Sequence, residues 1–363
     1  MDHASPRVEM RDVDRAPTPA LSMSCTVLRG GPRILAASGA LNSLRARTGQ
    51  QDEVTTDPNW FVGIATAGGK IPWVVELSGG DQLVAAMLFA ERCIFGLPTG
   101  YLKAEGGFGE ESLICPANMR ATYLPALLEG LFRRRSVLIA HVAQDAHAET
   151  AFATLADDSK IDLEWKQRPS HYLLPLCASM EETLAPYGVR TRRNLRYYLR
   201  KCRSEGYRFL SELSGDERME AVMSLSDSAT HRLPVVSALR REATMQATPG
   251  SFALGIRTAD GSWVSYLTGW RRGQRSFVYV QMNRVTEKNS SFGTAIRAFL
   301  MEEEIARGTR EIIFVGGTSR VFMRCCEDAL CVDLIARRRG LRTRVLSFFF
   351  NRLLGPDHPL SSG

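Results

Sequence analysis

The chain has 363 residues, of which 44% are apolar and 23% charged, with a net charge of +7. Such a balance excludes a disordered or collagen-like chain, and the length is enough for two domains. The positive charge favours anionic partners, among them phosphates, nucleic acid, acidic glycans and lipid headgroups, without choosing between them. Eight cysteines with no CxxC pair and no His-rich segment beside them do not make a metal module, and they read as reduced, mostly buried thiols.

In chain order, residues 1–24 carry charges and prolines but no apolar core, so they read as a disordered tail and not as a secretory leader. No stretch approaches the roughly 18 uninterrupted apolar residues that a bilayer span needs. The expected location is the cytoplasm. "WVVEL" (73–77), a turn at Gly79-Gly80-Asp81 and "LVAAMLFAE" (83–91) predict a hairpin by alternation and turn chemistry, with a third strand at 93–97. Met119 to Arg135 has helical spacing with arginines in its last turn, and "VLIAHV" (137–142) predicts a buried strand.

The same β-β-β-α-β order returns later. "FALGIR" (252–257), "WVSYLTGW" (263–270) and "SFVYVQM" (276–282) are followed by a helix from Gly293 to Arg307 and the strand "EIIFV" (311–315). Two units with one layout suggest a duplicated α/β (α+β) architecture.

Between them lies "RTRRNLRYYLRKCRSEG" (190–206), with six arginines and a lysine against one glutamate. At helical spacing Leu195, Tyr198, Leu199 and Cys202 form a narrow apolar stripe, and Arg192, Arg193, Arg196, Arg200 and Arg203 fall beside it. Thr191 reads as the N-cap and Gly206 as the stop. The segment is then an amphipathic helix: either a solvated face with arginine stems over apolar neighbours, or a site for an anionic substrate. No helix-turn-helix or aromatic single-strand platform accompanies it, so a nucleic-acid role lacks its usual companions.

"NRVTEKNSSFGTAIRAFL" (283–300) runs from a strand end into a helix N-terminus, where unpaired N–H groups and the helix dipole suit a pyrophosphate. Gly293 would allow close approach, Ser290, Ser291 and Thr294 add hydroxyls, and Lys288 adds charge. An ordinary loop capped by Ser290 or Ser291 fits the same residues.

Together these segments resemble the GNAT acyltransferase superfamily, and in particular its CelD-like branch of polysaccharide biosynthesis, related to Fem-type peptidyltransferases. The resemblance spans about residues 55–345. It rests on the segment ending in the Arg-rich helix, on "THRLP" (230–234), on "SSFGTAI" in the place of the pyrophosphate loop, and on "IIFVGGTSRVF". The superfamily loop has the form Q/R-x-x-G-x-G/A; here Ser290, Gly293 and Ala295 stand at its first, fourth and sixth positions. Where the branch commonly shows a Tyr-Lys pair, this chain has Val321, Phe322 and Met323.

Membership would imply two tandem GNAT-like domains, each a mixed, largely antiparallel sheet flanked by helices, over 25–165 and 166–355, with a flexible end at 356–363. It would imply acetyl-CoA or another acyl-CoA held by the second domain through the 290–295 loop, which includes Phe292, and direct transfer of the acyl group to an amine. His231 is then the candidate base, because its pKa lies near working pH, although a structural role beside Pro234 fits equally. Gln281 and Asn283 are polar candidates at the end of their strand, and Arg196 and Arg200 candidates for the anionic substrate. Adjacent Cys325 and Cys326 are expected to pack.

The C-terminal stretch 336–355 mixes arginines with Phe348, Phe349 and Phe350. It reads as a last strand and helix, or as a contact with an anionic membrane surface. Three functions follow: an acyl-CoA-dependent N-acyltransferase acting on a small-molecule or glycan-related acceptor, a Fem-type enzyme using aminoacyl-tRNA, and a non-catalytic accessory protein of polysaccharide assembly.

Overall fold

The computed structural model describes residues 23–104, 112–145, 160–227, 234–285, 291–315 and 326–354. In the first half, β1 (Met23–Arg29) is followed by α1 (Gly31–Ala36), α2 (Ser38–Arg47) and α3 (Pro58–Ala67). Asp57 starts α3, its carboxylate accepting from the N–H groups of Asn59 and Trp60 with Pro58 in the first turn. Then come β2 (Ile71–Gly79), β3 (Gln82–Ile94), β4 (Leu97–Ala104), a short β5 (Leu113–Ile114), α4 (Arg120–Phe132), β6 (Ile139–Asp145) and β7 (Ile161–Pro175).

The second half begins with α5 (Met180–Leu184), the basic helix α6 (Val189–Ser204) and β8 (Arg208–Ser211). It continues through α7 (Gly215–Leu225), α8 (Val235–Gln246), β9 (Ser251–Arg257), β10 (Trp263–Arg272) and β11 (Arg275–Asn283). It closes with α9 (Phe292–Ala306), β12 (Glu311–Phe314), β13 (Glu327–Arg338) and α10 (Leu341–Leu354). Both β-β-β-α-β units are therefore present, as β2-β3-β4-α4-β6 and β9-β10-β11-α9-β12. In each, the strands flanking the helix pair in parallel, β4 with β6 and β11 with β12, and the remaining pairs are antiparallel.

Two local expectations need correction. Residues 93–97 are not a strand of their own: β3 runs on to Ile94, Ile94 pairs with Leu97, and Phe95-Gly96 is the two-residue turn into β4. The basic helix begins earlier than Thr191, after Gly188, whose lack of a side chain leaves the helix without a side-chain cap. Its stop is as expected, with Gly206 at φ +81°.

The strands form one continuous sheet in the order β1-β2-β3-β4-β6-β13-β7-β12-β11-β10-β9-β8, with β5 beside β3. The two units exchange their closing strands. β7, which follows the first unit, pairs with β12 of the second, while β13, which follows the second, pairs with β6 of the first. β7 and β13 then pair with each other from Ile161 opposite Arg338 to Leu173 opposite Glu327. The change from residue 165 to 166 thus falls inside β7, within this pairing.

Alternation along the strands buries both faces. On one face a single core joins the halves, with Ile34, Trp60, Phe61, Val74 and Leu88 packed with Met245, Trp270, Phe277 and Ile313. On the other face α4 covers Val75, Met87 and Phe89, while α6 and α9 cover Leu254, Leu267 and Ile312. The second half carries its candidate site where the described pairing of β11 with β12 ends.

Candidate active site at the β11–α9 junction

β11 departs from regular pairing on both sides. Toward β10, Val278 lies opposite Gly269 and Val280 opposite Thr268, so Tyr279 is an extra, bulged residue. Gly269 makes room for it: a Cβ there would stand 1.8 Å from the Phe277 carbonyl oxygen. Toward β12, parallel pairing ends at Val278 and Phe314, with a last bond from Val315 N–H to the Val278 carbonyl at 3.0 Å. Beyond that point β11 runs on to Asn283 with no strand partner on this side among the described residues. From Tyr279 onward this edge of β11 is a wall of main-chain N–H and C=O groups with no strand partner among the described residues, and an extended ligand with amides can pair with such an edge.

The N-terminus of α9 stands beside this wall, and side chains hold it there. Gln281 Nε2 donates to the Gly293 carbonyl at 3.3 Å and to Asn283 Oδ1 at 3.2 Å. Asn283 Oδ1 also accepts from Ser265 Oγ at 2.7 Å, and Arg297 Nε donates to Gln281 Oε1 at 2.8 Å. A Cβ on Gly293 would come within 3.2 Å of the Asn283 amide nitrogen and 3.3 Å of that of Gln281. Gly293 is thus packed against the strand end, and any side chain there would press on the amides that hold the helix to β11.

At this end Ser291 is the N-cap residue but gives no side-chain cap; its Oγ meets Thr294 Oγ1 at 2.6 Å, while Thr294 and Ala295 N–H donate to the Ser291 carbonyl. The N–H groups of Phe292 and Gly293 have no helical acceptor, and a 15-residue helix presents the positive end of its dipole through them.

The structure brings Gln281, Asn283, Ser291, Gly293 and Thr294 together. The Phe292 ring and the Ala295 methyl face the core, Phe292 edge-on to Tyr207 with centroids 5.2 Å apart, so Phe292 offers its main chain only. Arg196 and Arg200 lie exposed on α6, with no carboxylate partner among the described residues; Arg200 Nε donates to the Arg196 carbonyl. Arg203 is the arginine of that helix that reaches α9, pairing with Glu302 at 2.7 Å. His231, Lys288, Ser290 and Cys325 lie outside the described residues. Cys326 is buried in the core of the second half, just ahead of β13.

Sequence reasoning overlooked Arg297. Burial pushes its guanidinium down to about 10, against the pull of the Cys326 and Tyr187 groups, and it lies over the Phe314 ring at 5.4 Å. The available signal was an arginine among Ile296, Ala298 and Phe299 in "TAIRAFL", which marks a charge on a buried helix face.

Two other polar constellations are weaker candidates. Tyr101 Oη meets His141 Nδ1 at 3.0 Å and His141 Nε2 meets Asp333 at 3.1 Å, all three at most 2% exposed, so this chain ties β4, β6 and β13 without access to substrate. A cavity of about 840 Å³ lies at the other end of β10 and β11, between Trp60 and Val54 on one side and Ala243, Thr244 and Pro249 on the other. Its arginines are already engaged: Arg45 with Asp57, Arg271 with Glu304 and Glu212, Arg272 with Glu53. The β11–α9 junction, where the strand edge has no partner among the described residues and Ser291 gives no side-chain cap, is therefore the better place for an anionic ligand.

No protein-family model and no curated protein matches this sequence. Solved structures do match. L-PGS from Bacillus licheniformis shares 13% identity at a TM-score of 0.53, covering 85% of this chain and 95% of that one. A tandem GNAT protein from the clavulanic acid biosynthesis pathway shares 13% at 0.52, covering 88% and 99%. FemX shares 8% at 0.53, covering 82% and 95%. The chain has the tandem GNAT fold.

Proposed function

We propose that this chain is an N-acyltransferase that takes an acyl group from acetyl-CoA or another acyl-CoA and passes it to an amine of a small-molecule, amino-sugar or envelope-related acceptor, as the CelD-like resemblance implies. The observation that carries this reading is the edge of β11 beyond Val278, without a strand partner among the described residues, lying beside the N-terminus of α9, where Ser291 gives no side-chain cap. An acyl-pantetheine chain has amides for the open edge of β11, and a pyrophosphate has the charge for the helix end.

In the reaction a neutral amine attacks the thioester carbonyl carbon. The C–N bond forms, the C–S bond breaks, and the amine proton leaves to a base or water as the thiolate departs. Main-chain N–H groups at the bulge would stabilise the oxyanion, and Gln281 and Asn283 hold the helix end in place. His231 is the base we propose.

Calorimetric titration with acetyl-CoA and longer acyl-CoAs tests this. The expected result is saturable binding, lost in Gly293→Asp with the circular dichroism spectrum unchanged. No binding of any acyl-CoA at high excess would overturn it.

A second reading is favoured by the exposed arginines of α6: an aminoacyl-tRNA donor, with Arg196 and Arg200 on the RNA backbone. It requires a complex with charged tRNA that weakens steeply with salt. Salt-insensitive binding, or none, would exclude it.

A further inference from the structure

We propose that the protein docks on an anionic membrane surface through two neighbouring apolar elements, the helix α10 and the tip of the β3–β4 hairpin. At about 100° per residue, Leu341, Val345, Phe348 and Phe349 fall within an arc of about 100° on α10. They are 78%, 47%, 60% and 54% exposed. Arg344 and Arg342 stand on either side of that arc, both exposed and without a carboxylate partner among the described residues. The opposite side of the helix faces the protein, with Thr343 buried and Leu346 packed against Tyr101, Ile139 and Ile335. The helix thus also carries large apolar side chains on its outward side, between cations. Such a pattern suits the boundary of headgroups and acyl chains.

The hairpin tip supplies a second, independent observation. Ile94 and Leu346 pack on the same small cluster of Tyr101, Ile139 and Ile335, so the end of the β3–β4 hairpin and α10 cover one patch of the sheet. There Phe95 is 99% exposed and Leu97 70% exposed. Phe95 and Gly96 form a two-residue turn with φ of +51° and +78°. That turn favours asparagine at its first position, whereas a bulky side chain at positive φ is strained. Among the described residues Phe95 makes no contact that would repay the strain, and a ring held in solvent gains by entering an apolar phase.

Anionic lipid is the partner that the charge selects. From Leu334 to Pro356 the sequence has no acidic residue, while Arg337 and Arg339 are already paired with Glu164 and Asp162. Among the described side chains of α10, the outward-facing cations are Arg342 and Arg344, beside the apolar arc.

The test is sedimentation of the full chain with vesicles of phosphatidylcholine alone or mixed with phosphatidylglycerol. We expect binding to the mixed vesicles only, weakened by salt. Arg342→Gln with Arg344→Gln should lower the partition coefficient about 30-fold. Phe348→Ser with Phe349→Ser should lower it about tenfold or more. Phe95→Asn should also weaken binding, yet hold or raise the melting temperature, which separates a docking role from a structural one. Each variant should bind acyl-CoA as the parent does, so failure here is distinct from failure of the proposed activity. Absence of binding to the mixed vesicles, or equal binding by the variants, would overturn the proposal. So would a dimer in solution that Phe348→Ser with Phe349→Ser dissociates, since the face would then join two copies of the chain.

Discussion

Gly293 and the amides of Gln281 and Asn283 show how much single residues decide at the junction. Sequence spacing singled out all three, because a glycine before a helix and polar residues at a strand end are local features. Their mutual contact was not local. Gln281 is drawn into a bond with Arg297, a residue with no motif to mark it, and so serves to lock α9 onto β11.

Thiol chemistry can be settled at the same scale. Burial pushes the Cys202 thiol up to about 11, so it stays protonated and unreactive at pH 8, whereas Cys177 is exposed. Brief alkylation of the native protein at pH 8, followed by peptide mass analysis, should modify Cys177 and spare Cys202 until denaturant is added. Equal modification of both in the native state would contradict this environment.

Among elements, the units were legible wherever apolar periodicity was strong, as in α9 and the strands β9 to β11. The turn at Phe95-Gly96 was not, because phenylalanine stands where a two-residue turn usually signals itself by asparagine. The start of α6 was missed for a related reason: a helix opened by glycine gives no side-chain cap to read. The exchange of β7 and β13 has the larger consequence. Each unit lacks its own closing strand, so β6 and β12 would be open edges if the halves were parted. A chain ending at residue 326 should lose the pairing of β13 with both neighbours and fail to unfold cooperatively; a sharp thermal transition in that truncation would show that the exchange is dispensable.

For the whole molecule, the shared core predicts common fate. Trp60 of α3 lies edge-on to Trp270 and to Tyr279, each at 5.8 Å between centroids, so the first half packs directly under the bulged strand of the second. Scanning calorimetry should give one transition for both halves, and Trp60→Ala should lower the stability of the whole by about 3–5 kcal/mol. Two separated transitions would mean that the halves fold as independent domains. Among the described residues no helix is long and apolar enough to cross a membrane, and the surface contact proposed for α10 and Phe95 needs none.

By itself the sequence determined the strands and helices of the two repeated units and the basic helix between them, because strand and helix periodicities, turn residues and helix stops act over a few neighbouring positions. It also determined the charge that marks α6 and the C-terminal stretch. Only the tertiary structure decided which strands close which unit, that the described pairing of β11 with β12 ends at Val278, and that the apolar arc of α10 faces away from the protein. Those outcomes depend on pairing between residues as far apart as His141 and Ile335, and such pairing is chosen by the packing of the whole chain, not by any segment of it.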